Sequence, residues 1–558
     1  MASPFKPQIS NPNQAIKASH VDHLPIIAHY LRRLHLVEIV NALVPVRMEV
    51  EPGIIVLGLV LDTLSGRSPL YHLEKTFEEY SQELLFGKEL PPGYFNDDNV
   101  GRVMDRLYEV GTQKLFSEMS RSALHRFPLS TKHLHFDTTS VNVYGAYTNA
   151  ADDNAPFKII NGYSKDKRPD LKQFVLSLLC VDGNIPIVGK LEDGNASDKK
   201  INHRVLSEVS KHMSQHGVAD EAFIYVADSA MVTEENLAQA KGFITRLPAT
   251  YNECDRSILA AVDAEQWSDI GSIAVTLASK NRPNASYRVH EETVTLYDTQ
   301  YRAIVVHSSA HDKRRQKKLE RGLDASLTEC RTMITSLKKK RFFCQADADV
   351  AARKLMEQTT LYHRLEISIV ECPKFAPGRP KKNTKRIPIA IEYELSAVIV
   401  EKKEEVARRR QLSGCFVLLT DVPMDGDEGY SAEMILRTYK DQHAIENNFG
   451  FLKDDQIVNA IFLKRPERIE VLGLIFLISL LVWRLIEKTM RTELKASGAS
   501  LPGWDNKATQ RPTSYMMMWK FKGVMVIHIG QERQLARPLS STQKTFLKAL
   551  KVPENCFI

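Results

Sequence analysis

The sequence predicts a mixed α/β fold that follows a helical module, and two changes in hydrophobic periodicity carry that prediction. Through residues 1–130 apolar side chains recur at the spacing of amphipathic helices, as at Ile27, Tyr30 and Leu34. From residue 133 the period falls to two, which is the spacing of a strand with one buried face. Further apolar runs and helical stretches follow in the order β-β-β-α-β-α-β, which favours a mixed sheet with helices on its faces.

The helical module is expected to be all-α and to occupy residues 1–130. A second amphipathic repeat, at Val100, Val103 and Leu107, begins soon after Asn96, a residue that favours a helix start. Pattern alone leaves two interpretations open for this module, namely a DNA-binding domain and a plain helical packing domain.

The sheet is predicted to begin with a strand in which His133, His135, Asp137 and Thr139 share one face. A hairpin at Asp182 and Gly183 joins the next two strands. The remaining predicted strands are 174–181, 185–191, 222–227 and 243–247, with helices at 200–216 and 233–241.

A long interruption separates these elements from a late helix that should complete the domain. Residues 249–428 contain short strand-like runs at 272–277, 301–307 and 388–400, a basic helical stretch at 313–321 and a basic linker at 373–386. An inserted domain accounts for them. Ser431 is a good N-cap for the late helix, which is expected to run to Lys453. The predicted domains are therefore 1–130, 131–248 with 429–495, 249–428, and a C-terminal segment at 496–558 that we assign to dimerisation.

Composition restricts the class of protein. The chain has 558 residues, of which 43% are hydrophobic and 26% charged, as in globular proteins with several cores. Its net charge of +7 weakly favours a polyanionic partner. The 7 cysteines form no Cys-x-x-Cys pair, which argues against a disulfide framework or zinc ribbon and favours a reducing compartment. The first ten residues lack a signal-peptide core, so we expect a cytoplasmic protein.

One apolar stretch, residues 471–483, needs a separate interpretation. Thirteen helical residues extend roughly 20 Å, whereas the hydrocarbon core of a bilayer is about 30 Å thick. The sequence therefore predicts a buried helix here and no membrane partner.

Three acidic residues lie where predicted elements end or pack on the sheet: Asp137, Asp228 and Glu446. A single carboxylate of this kind is most often a cap or turn residue. As a set they match phosphodiester chemistry, which uses two divalent ions about 3.5–4 Å apart. Hard carboxylate oxygens suit magnesium.

The late helix places a group of polar residues on one side. At about 100° per residue, Tyr439, Gln442, Glu446 and Lys453 fall within roughly a 60° stripe. A carboxylate is thereby presented beside a phenol, an amide and an ammonium group, which suit the binding of DNA phosphates.

These residues resemble the insertion-sequence transposases of the DDE type, whose signature is Tyr, two residues, Arg, three residues, Glu, six residues, Lys. Tyr439, Glu446 and Lys453 match it in type and spacing, whereas Gln442 stands where Arg is usual. Three further segments resemble the family's first and second acidic motifs: FDTTSV at 136–141, GYSKDKRPDLKQ at 162–173 and YVADSAM at 225–231.

The resemblance covers most of residues 130–490 and implies an RNase H-like catalytic domain interrupted by an insertion domain. It implies a metal-binding catalytic triad of Asp137, Asp228 and Glu446 that uses two Mg²⁺ ions, with Mn²⁺ able to substitute. It further implies cut-and-paste transposition, with element terminal inverted repeats and target double-stranded DNA as partners, and a homodimer in the synaptic complex. The enzyme would be cytoplasmic and nucleoid-associated when bound to DNA, and residues 1–130 would bind the element ends.

Two basic segments are further candidates for DNA contact. Lys165, Arg168 and Lys172 belong to the loop before the second strand, and Arg379 lies in a Gly-Arg-Pro triplet of the kind that enters AT-rich minor grooves. Alternatives remain open for both: a solvated turn for the loop, and a basic flexible linker around Arg379. For the whole protein the alternative is a catalytically inactive DNA-binding regulator derived from a transposase.

Overall fold

The computed structural model describes residues 16–45, 48–145, 147, 155–215, 223–274, 283–337, 340–357, 359–378, 385–426, 429–454, 461, 463–529 and 532–558. The chain divides into two compact units, the first made of residues 1–245 and 438–558 and the second of residues 246–437. The inserted domain predicted from the sequence was 249–428, close to the bounds of the second unit. A separate domain boundary near residue 130 stays a prediction.

The first unit begins with a helical region that is not purely helical. Its elements are β1 (Ile16–His20), α1 (Leu24–Arg33), α2 (Leu36–Leu43), α3 (Pro52–Ser65), α4 (Leu73–Glu78), α5 (Gln82–Phe86), α6 (Asp97–Val110) and α7 (Thr112–Arg126). The Asn96 side chain accepts a hydrogen bond from the Asn99 N–H, so the predicted helix start is confirmed. The all-α prediction is wrong at β1, because its backbone pairs with residues 525–529, about 500 positions away, and short-range periodicity does not report such a partner.

A mixed sheet follows, and the predicted order of elements is confirmed. These elements are β2 (His133–Val143), β3 (Lys172–Val181), β4 (Ile185–Glu192), α8 (Asp198–Gln215), β5 (Ile224–Val226), α9 (Glu234–Gln239) and β6 (Phe243–Arg246). The strand order is β4-β3-β2-β5-β6, antiparallel among the first three and parallel from β2 onward. Asp182 and Gly183 both have positive φ, as the predicted hairpin turn requires.

The second unit is built on antiparallel strands and helices. Its elements are α10 (Asn252–Ala264), β7 (Ser268–Ser272), β8 (Ser286–Leu296), β9 (Thr299–Ser308), α11 (Ser309–Leu337), β10 (Arg341–Phe342), α12 (Gln345–Met356), β11 (His363–Lys374), β12 (Ala390–Glu401), α13 (Lys403–Gln411) and β13 (Cys415–Thr420). One group of strands runs β13-β9-β8-β7 and another β10-β12-β11. The predicted strands at 301–307 and 388–400 and the basic helix are confirmed. Of the strand expected at 272–277, residues 275–277 lie outside the described residues.

The late helix is two helices, α14 (Ala432–Asp441) and α15 (His443–Leu452), and the prediction of one continuous helix is wrong. Ser431 does cap α14, since its hydroxyl accepts from the Met434 N–H at 3.3 Å. At Gln442 the backbone hydrogen bonds follow the i→i+3 pattern of a 3₁₀-helix. The Gln442 N–H donates to the Tyr439 carbonyl, and the Ile445 N–H donates to the Gln442 carbonyl. This tighter turn breaks the uniform 100° step on which the predicted stripe depends.

A 32-residue helix, α16 (Pro466–Ser497), lies in the core of the first unit. It is long and apolar enough to cross a membrane, so the argument from a 13-residue length is wrong, but 89% of its most apolar window is buried within the structure. It packs closely on β4, where a side chain added at Gly189 would meet Leu477 at 2.5 Å and one added at Gly473 would meet Leu191 at 2.6 Å. This burial supports the interpretation of a core helix.

The C-terminal segment packs on the N-terminal helical region. It comprises β14 (Leu501–Pro502), β15 (Ala508–Thr509), α17 (Ser514–Phe521), β16 (Met525–Ile529), β17 (Glu532–Leu535) and α18 (Ser541–Leu550). Strand β16 pairs antiparallel with β1, and the Tyr30 hydroxyl donates to the Leu550 carbonyl at 2.9 Å. A role of this segment in dimerisation stays a prediction.

Candidate active site

Asp137 lies on β2, and Asp228 lies two residues past the end of the neighbouring parallel strand β5. The last registered pair between β2 and β5 joins His135 to Val226, and each aspartate follows two residues later. The backbone of Asp228 is still extended, so the alternation of side chains continues past the end of β5 and puts both carboxylates on the same side of the sheet. Adjacent strands are about 4.8 Å apart, so the register makes the two carboxylates neighbours.

Burial perturbs both acids. It raises the pKa of Asp137 to about 7. The negative charge of Asp228 raises this pKa further, whereas the Lys165 ammonium and the Thr138 N–H lower it. That N–H donates to Asp137 Oδ1 at 2.7 Å. Burial also raises the pKa of Asp228, although Oδ1 accepts from the Ala230 N–H at 3.0 Å. Ionisation of these two carboxyl groups is therefore unfavourable in free energy, and a bound cation would offset that cost.

A third aspartate, Asp198, joins this pair and was not singled out from the sequence. It is the first residue of α8, and its Oδ1 accepts from the Thr138 hydroxyl at 2.6 Å. Lys165 Nζ donates to the Thr138 carbonyl and hydroxyl oxygens, both at 2.7 Å, and lies 3.4 Å from Asp198 Oδ2. The only signal in the sequence is an acid in the first turn of a helix, which is common for reasons of capping and helix dipole alone.

Glu446 lies on α15, whose start contacts β2, but its carboxylate is bonded to His443. Its side chain is 65% exposed, and its Oε2 lies 2.6 Å from Nδ1 of His443, one turn earlier in α15. Gln442, which precedes α15, donates through Nε2 to the carbonyl of Phe136 at 3.3 Å, so the helix begins against the strand that carries Asp137. The structure thus brings the helix to the site, while the Glu446 carboxylate contacts His443.

A buried polar network fixes α15 to α16. Arg484 is 7% exposed and donates to Asn448 Oδ1 at 2.7 Å, to the Asn447 carbonyl at 2.8 Å and to Glu487 Oε2 at 2.7 Å. Asn448 in turn donates to the carbonyl of Asn184, in the hairpin between β3 and β4, at 2.9 Å. The network therefore sets the position of the helix that carries Glu446, and the sequence patterns did not indicate it.

Lys453, at the end of α15, pairs with the loop that precedes β3. Its Nζ is 2.8 Å from both carboxylate oxygens of Asp166, and Asp166 also accepts from Asn142 Nδ2 at 3.2 Å. The structure thus joins two segments that the sequence suggested for DNA contact. In the described structure this ammonium is engaged by an acid of the loop.

The other basic residues of the loop differ in their contacts. Arg168 is paired with Asp170 at 2.7 Å on the surface. Lys172 opens β3 and donates to the Tyr147 carbonyl at 3.4 Å. Lys165, by contrast, contacts the aspartate cluster through Asp198 and Thr138.

Two further candidates remain, Tyr439 and Arg379. Tyr439 is half-buried in α14, before the break that separates it from Glu446. Arg379 lies outside the described residues.

The oxygen donors at the sheet edge fit a magnesium ion in kind, but they are not assembled as a complete set. Among the described residues, no cluster of three or more His, Cys, Asp and Glu side chains has the geometry of a metal site. Asp137 and Asp228 supply two neighbouring carboxylates, Asp198 is held by Thr138, and Glu446 by His443.

A family model matches the N-terminal part of the chain. A family model described as a domain of unknown function (DUF4277) matches residues 16–121, which is 106 of the 558 residues. This stretch runs from β1 into α7 and precedes the residues of the aspartate cluster. No curated protein matches the chain.

Proposed function

We propose that the chain is a DNA transposase of the DDE type, with an RNase H-like catalytic domain that cleaves the ends of an insertion sequence and joins them to target DNA. The observation that carries the proposal is the register of β2 and β5, which sets Asp137 beside Asp228 while the helix of Glu446 starts against the same strand. The element order of the mixed sheet and the match of Tyr439, Glu446 and Lys453 to the family signature support it.

The cluster has the charge that divalent cations require. Asp137, Asp198 and Asp228 carry three negative charges when ionised, and Lys165 supplies one positive charge, which leaves an excess of two negative charges. Asp137 and Asp228 would hold the ions, joined by Glu446 once its carboxylate leaves His443. Two bound Mg²⁺ ions, or Mn²⁺ in their place, would activate the attacking oxygen and stabilise the leaving oxygen.

The chain's own cations would position the DNA. Lys453 is paired with Asp166, and Lys165 with Asp198. A DNA phosphate that binds either lysine would replace this carboxylate as its partner, so each ammonium group keeps an anion beside it. Tyr439, Gln442, Arg168 and Lys172 would contact the backbone farther along. The partners in this proposal are terminal inverted repeats and target DNA, engaged by a homodimer in the cytoplasm.

The test is cleavage of DNA that carries the inverted repeats flanking the reading frame, with and without magnesium. Asp137→Ala, Asp228→Ala and Glu446→Gln should each abolish cleavage and leave end binding largely intact, because a loss of ~4 kcal/mol of transition-state stabilisation is already about a thousandfold. Asp298→Asn is the matched control, since Asp298 is an exposed turn residue with a positive φ that Asn tolerates.

Each outcome has a definite meaning. Near-normal cleavage by any of the three variants would remove that residue from the catalytic set. Wild-type protein that binds the ends but never cleaves them, in either metal, would favour the inactive regulator.

A further inference from the structure

The second unit contains a cavity of about 420 Å³ whose rim is cationic and whose floor is apolar. Side chains from α10, α11, α13 and β13 line it. The floor includes the buried residues Ile258, Leu319 and Phe416. This volume lies within the range of about 300–1,000 Å³ that small-molecule sites occupy.

Five cations line the cavity, and two of them are neutralised locally. Arg408 pairs with Asp255 at 2.9 Å and Arg409 with Glu405, which are the two acids of the lining. The other three cations are Arg246, Arg315 and Lys318. With five positive and two negative groups, the lining carries a net charge of +3.

These three cations form no ion pair with any residue that the structure describes. Arg246 lies over the Phe416 ring at 5.1 Å, and Arg315 donates to His311 Nε2 at 3.4 Å, so an aromatic ring and an imidazole hold these two side chains at the cavity. Arg315 and Lys318 lie three residues apart on α11 and therefore project from the same side of the helix.

The two thiols of the cavity lining add no negative charge that would repel an anionic ligand. Burial raises the pKa of Cys254 and of Cys415 to about 11, so both are neutral near pH 7. The chemistry of the cavity is thus an unneutralised cationic rim above an apolar, partly aromatic floor, which suits a phosphate attached to an apolar ring.

We propose that this cavity binds a nucleoside phosphate, with the phosphate on Arg246, Arg315 and Lys318 and the base on the apolar floor. The ligand has two possible sources, a free nucleotide or a nucleotide unit of a DNA strand, and both present the same chemistry. This site is separate from the aspartate cluster and needs no metal, so it stands or falls independently of the proposed transposase activity.

The experiment uses the full chain without magnesium and titrates it with a fluorescent nucleoside monophosphate, followed by competition with unlabelled nucleotide, a 5′-phosphorylated single-stranded oligonucleotide and inorganic phosphate. Arg315→Gln and Lys318→Gln should each weaken binding about tenfold, the effect of losing one charge-assisted hydrogen bond. Their matched controls are Arg314→Gln and Lys313→Gln, which remove the same charge from exposed positions of the same helix that do not line the cavity. The controls should change the dissociation constant less than about twofold.

Stronger competition by the free nucleotide identifies a small-molecule site, and stronger competition by the oligonucleotide identifies a DNA-strand site. Equal weakening in lining and control variants would show general attraction of anions to α11 and would overturn the proposal. So would inorganic phosphate that competes as well as the nucleotide, or wild-type protein without saturable binding. An Asp137→Asn chain should bind the probe normally, which separates this result from any failure of cleavage.

Discussion

Removing the charge of Glu487 should release the helix that carries Glu446. Glu487 is 3% exposed and pairs with Arg484 at 2.7 Å as well as with Arg491. Glu487→Gln keeps the shape of the side chain and one acceptor oxygen but leaves two arginines without their shared carboxylate. Arg484 then remains buried with only neutral acceptors, on Asn448 and the backbone.

The size of the effect follows from this burial. Breaking a buried ion pair by removing one partner costs about 3–5 kcal/mol. Because Arg484 retains two hydrogen bonds to neutral acceptors, we expect the lower end, ~3 kcal/mol, which corresponds to about a hundredfold change in a local opening equilibrium. The opening should be largest in α15, since Arg484 bonds to Asn448 and to the carbonyl of Asn447.

Hydrogen exchange of peptides from α15, residues 443–452, measures this opening directly. Glu109→Gln is the control, because it removes the same charge from the exposed pair with Arg106 and should cost no more than ~0.5 kcal/mol. The double variant Arg484→Met with Glu487→Leu should not restore slow exchange, since it also removes the bonds from Arg484 to Asn448 and to the Asn447 carbonyl. If Glu487→Gln exchanges no faster than Glu109→Gln, the network does not hold α15.

Three further predictions concern stability, DNA binding and assembly. Burial raises the folded-state pKa of Asp62 to about 6, so ionisation should cost the folded state ~3 kcal/mol as pH rises from about 4 to above 6. Asp62→Asn should therefore raise the melting temperature at about pH 7 much more than at about pH 4.5, and an equal shift at both would refute this. Lys453→Ala should weaken binding to the element ends and reduce the slope of log affinity against log salt concentration by up to about one. An unchanged slope would contradict this prediction. Finally, Asp228→Ala protein mixed with wild type should inhibit concerted excision beyond simple dilution if a dimer acts; purely proportional loss, with mixing verified, would indicate independent subunits.

The part of the site that could be predicted from the sequence rests on strand periodicity. The alternation through Asp137 and the apolar run before Asp228 located both strands because burial of one sheet face imposes a period of two. Parallel pairing of these strands then brings the two acids together. The pattern does not specify the partner of a side chain, which is why the bonds from Glu446 to His443 and from Lys453 to Asp166 were not anticipated.

The misses have physical causes that single residues illustrate. Gln442 is a good helix former, so nothing in its propensity signals the tighter turn that divides α14 from α15. The apolar run 471–483 ends in the sequence at the charged residue Arg484, which made the helix seem too short, whereas Arg484 is buried and pairs with Glu487 inside the core. Asp198 reaches the cluster through the tertiary position of α8, which local sequence does not encode.

The pairing of β1 with β16 also bears on how the chain is synthesised. His20 pairs with Met525, and the two residues are 505 positions apart along the chain. At a translation rate of about 5–20 residues per second, β16 is synthesised roughly 25–100 s after β1. During that time the strand edge at residues 16–20 is open to pairing with other chains. A fragment limited to residues 16–121 would keep that edge open permanently, so the N-terminal region should remain soluble on its own only when residues 525–535 are supplied with it.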